Sequence, residues 1–159
     1  MSSQPPQANP QGQPSFSIET LYAKDVSLEV PNGPGVFLEQ VQPQVEVQIG
    51  TEVANFAEGL YEVTVKATVT ARSGEKTLFL AEAAQAGIFS VRNISAQDLE
   101  PLLAIGCPTI VFPYLREAIT DLSTRAGFLP VMLAPVSFEA LYAQRQQGVT
   151  QHAGVQPGR

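Results

Sequence analysis

The chain has 159 residues, a length that suits one domain, and its nine lysines and arginines against fifteen aspartates and glutamates give a net charge of −6. This acidic balance disfavours nucleic acid and anionic membranes as partners and favours basic ones. The single cysteine cannot form a disulfide within the chain, which fits a reducing, cytoplasmic compartment.

The two ends differ in composition from the middle. Residues 1–15 are rich in Gln and Pro and carry no charge, so they predict a disordered tail. Because they hold no basic residue and no apolar run, we expect no signal peptide. Residues 144–159 are polar and glycine-containing and predict a flexible carboxyl-terminal tail. Between them lies a body of residues 16–143, in which we find no apolar stretch long enough to cross a bilayer.

The first half of the body alternates apolar and polar residues, which is typical of half-buried strands. The alternation is clearest in LYEVTVKATVT and recurs in YAKDVSLEV, VEVQI and TLFLAEAAQAGIFSV. Ser73-Gly74 predicts a tight turn that joins the last two strands in an antiparallel hairpin. Four successive strands without an intervening helical pattern predict an antiparallel sheet with one dry face.

The second half carries helical patterns. Ser95 and Asp98 predict the start of a short lead-in helix that ends before Pro108, because the residue before a proline avoids helical angles. A longer helix with one apolar stripe is predicted from Pro113 to a cap at Gly127. A final short helix carries three larger residues inward: Phe138, Leu141 and Tyr142. Strands followed by one long helix and a short one indicate an α+β fold.

The residues that catalysis or metal binding would need are scarce. Cys107 lacks a histidine base in the body, since the sole histidine is His152 in the tail, and we interpret this cysteine as a packing residue. One cysteine and one histidine do not make a tetrahedral zinc site. No glycine-rich phosphate loop occurs. We therefore expect no enzyme, no metal and no cofactor.

The last strand carries more apolar surface than one sheet face needs. Leu78 and Leu80 fall on one of its faces and Phe79, Ala81 and Ala83 on the other. Small side chains let another layer approach closely, and surplus apolar surface of this kind marks an oligomer interface or a binding groove. Together with the missing chemistry, this surface indicates a binding protein that assembles.

Six collinear blocks, from Leu21 to Tyr142, resemble the SecB family of bacterial protein-export chaperones. They are LYAKDVSLEVPNGPGVF, QPQVEVQI, LYEVTVKATVTA, FLAEAAQAGIFSV, CPTIVFPYLREAITDLSTRAGF and LAPVSFEALY. The resemblance makes residues 16–143 a SecB-like chaperone domain. It implies an ATP-independent cytosolic chaperone that holds unfolded precursor proteins and delivers them to the SecA motor. It also implies a homotetramer, a dimer of dimers, that does not insert into membranes.

The resemblance also implies where each partner binds. SecA binding is carried over to the outer face of the sheet, at Asp25, Glu29, Leu80 and Glu82. The contact between dimers is expected on the opposite face of the last strand and along the long helix, at Ala81, Ala83, Gln85, Leu115, Ile119 and Leu122. The client groove is expected between the first strands, the connecting loop and the last helix, at Leu21, Phe37, Val41, Val45, Val47, Phe138, Leu141 and Tyr142.

Two other interpretations stay open at this point. A long helix against an antiparallel sheet also describes hot-dog-type thioesterases, in which Asp98 or Glu100 would act as a base near a helix start. Alternatively, the chain could be an oligomeric scaffold that binds only folded partners. Thioester turnover would distinguish the first from a chaperone, and competition by unfolded chains would distinguish the second.

Overall fold

The computed structural model describes residues 12–153, which form one four-stranded antiparallel sheet followed by helices. The strands are β1 (Ser15–Glu29), β2 (Gln44–Ala57), β3 (Leu60–Ser73) and β4 (Lys76–Arg92). Their order across the sheet is β1-β4-β3-β2, so β1 and β2 are its two edges. The predicted α+β class and the four strands are confirmed, and each strand is longer than its alternating segment.

Glycines with positive φ make the two hairpin turns. Gly59 lies at φ +69 between β2 and β3, and Gly74 lies at φ +60 between β3 and β4. Ser73 pairs with Lys76, so the β3–β4 loop consists of Gly74 and Glu75, and the predicted Ser73-Gly74 turn is one residue early. Glycine adopts positive φ freely, whereas other L-residues pay about 1–2 kcal/mol.

The helical half begins with one continuous helix of 30 residues, Ala96–Arg125, hereafter the long helix. It comprises α1 (Ala96–Pro101), a π-helical turn (Leu102–Gly106) and α2 (Cys107–Arg125). The prediction of a lead-in helix that breaks before Pro108 and of a second helix that starts at Pro113 is therefore wrong.

The π turn explains why proline does not end the helix. The Cys107 N–H donates to the Leu102 carbonyl, five residues back, so the turn just before Pro108 is wider than an α-helical one. A wider turn relieves the clash between a proline ring and the preceding carbonyls. Pro113 lies on the exposed side of the helix, where water can satisfy the carbonyl that lacks a donor.

Both ends of the long helix are capped by the predicted residues. The Ser95 hydroxyl accepts a hydrogen bond from the Asp98 N–H at 3.3 Å and donates to the Asp98 carboxylate at 3.0 Å. At the other end, Gly127 adopts φ +89. The N–H groups of Gly127 and Phe128 donate to carbonyls of the last helical turn at 3.0 and 3.3 Å, a pairing that satisfies otherwise unpaired carbonyls.

The long helix is long and apolar enough in composition to span a membrane, contrary to the expectation from sequence. Its apolar composition has a core function, because Val111, Leu115 and Ile119 are fully buried where α2 packs on β3 and β4. Towards the loop that follows the helix, Arg116 places its guanidinium 5.0 Å from the centre of the Phe112 ring. The helix is the core helix of the sheet.

The long helix packs mainly on the two central strands, β3 and β4. On the covered face, Val63 and Val69 of β3 and Phe79 of β4 are fully buried. Residues that share this face on the edge strands are 38–48% exposed: Phe16, Ile18 and Val26 on β1, and Val45, Val47 and Val53 on β2. Two apolar strips are therefore left uncovered, one on each side of the long helix.

The connection from β1 to β2 and the last helix complete the fold. The connection contains a 3-10 helix (Gly35–Leu38) whose Val36 is buried in the core. Helix α3 (Phe138–Ala153) begins after Ser137, whose hydroxyl accepts a hydrogen bond from the Ala140 N–H at 3.2 Å. The predicted boundary after residue 143 falls inside α3. Residues 1–11 and 154–159, parts of the two predicted tails, lie outside the described residues.

Candidate binding surfaces

A groove of about 500 Å³ opens between the start of β2 and the loop that follows the long helix; we call it the β2 groove. Its walls include Val41 and Val45 on one side and Phe128, Leu129 and Val131 on the other. Among residues 12–153, no charged or polar side chain lines it. The β2 groove therefore offers burial to apolar groups with no side chain that selects by hydrogen bonding, which suits partners of varied sequence.

Hydrogen bonds to the long helix hold one wall of the β2 groove in place. Arg116 donates from Nε to the Leu133 carbonyl at 3.1 Å, and the Thr120 hydroxyl donates to the Val131 carbonyl at 3.0 Å. The Val131 N–H in turn donates to the Ser123 hydroxyl at 2.8 Å. Because these bonds tie loop backbone to a core helix, the wall is ordered before any partner binds.

A run of aromatic rings connects the groove mouth to the core. Phe37 is 50% exposed and packs against Phe128, with ring centroids 5.3 Å apart, and Phe128 packs against the buried Phe79 at 5.4 Å. A Cβ atom at Gly127 would lie 2.9 Å from Cε1 of Phe37. The close approach of this ring therefore depends on glycine at the helix cap.

A second groove, of about 610 Å³, lies between β2, the start of the long helix and α3; we call it the α3 groove. Val53, Leu99, Leu103 and Tyr142 contribute its apolar lining. Its polar rim includes Arg145, which donates to the Thr51 hydroxyl at 2.7 Å. This hydrogen bond links α3 to the edge strand beneath it.

The predicted client residues do not form one continuous surface in a single chain. Phe37, Val41 and Val45 come together at the β2 groove, Val47 continues along the same strand, and Tyr142 lines the α3 groove. Leu21 lies on β1, at the opposite edge of the sheet.

The remaining two predicted client residues belong to the core side of α3. Phe138 is 3% exposed, packs edge-on against Phe112 at 5.9 Å, and anchors the helix, while Leu141 is half-buried. Sequence reasoning missed the groove wall formed by Phe128, Leu129 and Val131. The signal for it was the apolar run GFLPVML directly after the helix cap.

The four residues assigned to SecA lie on the sheet face away from the long helix. Glu29 pairs with Leu80 in the β1–β4 register, Glu82 lies opposite Ser27, and Asp25 lies opposite Ala84. Asp25 and Glu82 line one shallow depression. Within residues 12–153, neither these two carboxylates nor that of Glu29 takes part in a salt bridge. We call Asp25, Glu29 and Glu82, with Leu80 among them, the acidic patch.

Two lysines border the acidic patch, and each is paired with another carboxylate. Lys24 and the Tyr22 hydroxyl both donate to the Glu62 carboxylate, and Lys66 forms a 2.8 Å ion pair with Glu52. The hydrogen bonds from Lys24 and then Tyr22 lower the pKa of Glu62. The bond to Glu62 raises the pKa of Lys24 and that of Tyr22.

The residues assigned to the contact between dimers are all buried within one chain: Ala81, Ala83, Gln85, Leu115, Ile119 and Leu122. Ala81 and Ala83 face the long helix, since they pair with Val69 and Ala67 of the covered face. The layer that packs closely on these small side chains is therefore the long helix of the same chain. A role for these residues between copies stays a prediction.

The groups considered for catalysis have structural roles. Cys107 is fully buried, and burial raises the pKa of its thiol to about 12, so it is neutral at physiological pH. The Asp98 carboxylate accepts a hydrogen bond at 3.0 Å from Ser95, the residue that caps the long helix, and Glu100 accepts a hydrogen bond from Gln146 at 3.3 Å. No group of three potential metal ligands occurs among the described residues. The fold and these surfaces define a binding protein with open apolar grooves.

Comparison with known proteins gives the family. A family model described as "Preprotein translocase subunit SecB" matches residues 9–149. The protein-export protein SecB of Chromobacterium violaceum is 55% identical over 134 residues, which cover 84% of this chain and 89% of that protein. That of Ralstonia pickettii is 54% identical over 143 residues, covering 90% and 83%. The chain belongs to the SecB family and is a cytoplasmic protein-export chaperone, not an enzyme.

A solved structure agrees on the fold. The chain is similar to a SecB-like chaperone of Mycobacterium tuberculosis in complex with a peptide from the HigA1 antitoxin, with a TM-score of 0.63. The match covers 76% of this chain and 90% of that one at 15% identity. At this identity the likeness supports the fold alone. The family membership removes the thioesterase interpretation left open by the sequence.

Proposed function

We propose that the chain holds unfolded precursor proteins without ATP, as a homotetramer built as a dimer of dimers, and delivers them to SecA. The observation that supports holding is the apolar surface left open along β2 beside the long helix and in the β2 groove. Unfolded chains expose scattered apolar segments that gain free energy when buried. Several such grooves in one assembly sum weak contacts through effective concentration.

Holding is proposed to centre on the β2 groove, where Phe37, Val41 and Val45 lie together. Val47 extends this surface along β2, and Leu21, Leu141 and Tyr142 add contacts elsewhere. In the part of the chain that the structure describes, the groove lining carries no polar side chain. This suits a chaperone, because polar side chains would restrict the sequences that fit.

The test is the double variant Val45→Thr, Val47→Thr. Threonine keeps the shape of valine and changes only its polarity, and both valines are 42% exposed. Complete burial of a valine contributes about 1.5 kcal/mol, so covering the exposed fraction of two contributes about 1.2 kcal/mol. We expect the double variant to bind an unfolded, fluorescently labelled precursor about tenfold more weakly.

Val26→Thr is the matched control, because Val26 is 48% exposed on the same sheet face at the opposite edge. It should bind the precursor like the original chain, and circular dichroism should show that all variants are folded. If the β2 double variant holds the precursor unchanged, or the control weakens equally, the β2 groove is not the holding site.

Delivery to SecA is proposed to use the acidic patch. Its three carboxylates are outside every salt bridge found within residues 12–153, and Leu80 beside them is half-buried. Such a patch suits a basic segment of the motor, because charge speeds encounter and orients the partner while an apolar residue supplies desolvated contact area.

Assembly is proposed to use the side of the long helix that faces away from the sheet. In one chain Tyr114 of this side is 46% exposed, so a second copy has access to it. Ala81, Ala83 and Gln85 would then support the interface from beneath, by setting how closely the helix packs on its own sheet.

A further inference from the structure

The acidic patch keeps its charge despite two lysines beside it. Lys24 and Lys66 line the same shallow depression as Asp25 and Glu82. Unpaired lysine ammonium groups in this depression would attract the patch carboxylates and would compete with a basic partner for them. Both lysines are instead engaged by carboxylates outside the patch, Lys24 by Glu62 and Lys66 by Glu52.

Small residues on β4 allow Lys24 to reach Glu62 across that strand. Lys24 lies on β1 and Glu62 on β3, and β4 runs between those strands. The β4 residues on this face include Ala84 and Ala86, both buried, so long side chains from β1 can pass over the strand. Tyr22 reaches the same carboxylate, and Glu62 is only 18% exposed against 47% for Lys24. Glu62 is therefore the more buried partner of this ion pair, and two hydrogen bonds orient its carboxylate.

We propose that Glu62 and Glu52 are positioning residues for partner binding, which hold Lys24 and Lys66 so that the acidic patch stays available to a Lys/Arg-rich segment of SecA. This inference rests on the proposed function of the patch. Seven side chains set the local charge, which is −3: Asp25, Glu29, Glu82, Glu62, Glu52, Lys24 and Lys66.

Three variants separate this inference from a purely structural role. Glu62→Gln removes the ion pair with Lys24 and changes the local charge to −2. The glutamine amide oxygen can still accept a hydrogen bond from the Tyr22 hydroxyl. Lys24→Met changes the local charge to −4 and removes the ammonium group that would compete with a basic partner. The double variant restores −3 and removes the lysine that would interfere.

The measurement is the dissociation constant for purified SecA by titration calorimetry at low ionic strength. We expect Glu62→Gln to bind SecA about threefold more weakly. This is the effect of losing one negative charge about 7 Å from a bound cation in water. Lys24→Met should bind tighter by a similar factor, and the double variant should match the original chain. The matched control is Glu39→Gln, which opens the exposed 3.0 Å pair with Lys76 outside the patch and should bind unchanged.

The differences among the variants should shrink at high salt, because screening weakens interactions between exposed charges. A loss caused by misfolding would persist in salt and would not be rescued by Lys24→Met. The inference is overturned if Glu62→Gln binds like the original chain, or if the double variant stays as weak as Glu62→Gln. If Asp25→Lys also leaves SecA binding unchanged, the proposed SecA site is wrong as well. If Asp25→Lys weakens SecA binding while Glu62→Gln does not, the site holds and only the positioning role of Glu62 is wrong.

Discussion

Replacing Gly127 with alanine tests how the cap of the long helix shapes the β2 groove. The residue lies at φ +89, and a Cβ atom would come within 2.9 Å of Cε1 and 3.2 Å of Cζ of Phe37. Positive φ costs an L-residue about 1–2 kcal/mol, and displacing the half-exposed ring adds about 1 kcal/mol. We expect Gly127→Ala to lower the free energy of unfolding by about 2–3 kcal/mol.

The assay is urea unfolding followed by far-UV circular dichroism at one fixed protein concentration, because assembly makes apparent stability depend on concentration. Gly74→Ala is the matched control. Gly74 has φ +60, and nothing lies within 4 Å of an added Cβ, so this variant should lose only the stability that positive φ costs an alanine. Adding Phe37→Ala should remove the additional cost of Gly127→Ala. Equal losses of stability for the two glycine variants, or no recovery with Phe37→Ala, would show that the Phe37 ring does not constrain residue 127.

Two further predictions concern the partner and the assembly. Reversing Asp25, Glu29 or Glu82 to lysine should leave folding and client holding nearly intact, because solvent-exposed charges add little to stability, and should weaken SecA binding measured by calorimetry over a salt series. Lysine variants that bind normally, or binding indifferent to salt, would contradict the patch. Ala83→Tyr should overpack the contact between β4 and the long helix by ~1–3 kcal/mol and shift tetramers towards dimers in sedimentation; an intact tetramer at low micromolar concentration would contradict the interface.

Local periodicity predicted the sheet but not the exceptions to it. The period of two correctly placed Asp25 with Glu29 on one face of β1, and Leu80 with Glu82 on one face of β4. It failed at Leu78, which has no partner in the β3–β4 register and lies in the core, because a register shift there breaks the alternation. The rule that proline ends a helix failed at Pro108, because a π turn depends on packing around the helix and not on the local sequence alone.

The site was harder to predict because it depends on which strands are neighbours. Strand order decides that Leu21 and Val45 lie at opposite edges and that Ala83 lies beneath the chain's own helix. The pairing of Lys24 with Glu62 spans an intervening strand. Alternation assigns residues to faces, but it carries no information on order, so these relations required the structure.

ATP-independent holding can be measured by light scattering of a chemically unfolded precursor diluted out of denaturant, with the purified full chain present and no nucleotide added. We predict that the chain delays aggregation in proportion to its concentration and that ATP changes nothing. Aggregation at the same rate with and without the chain, or protection that requires ATP, would contradict it.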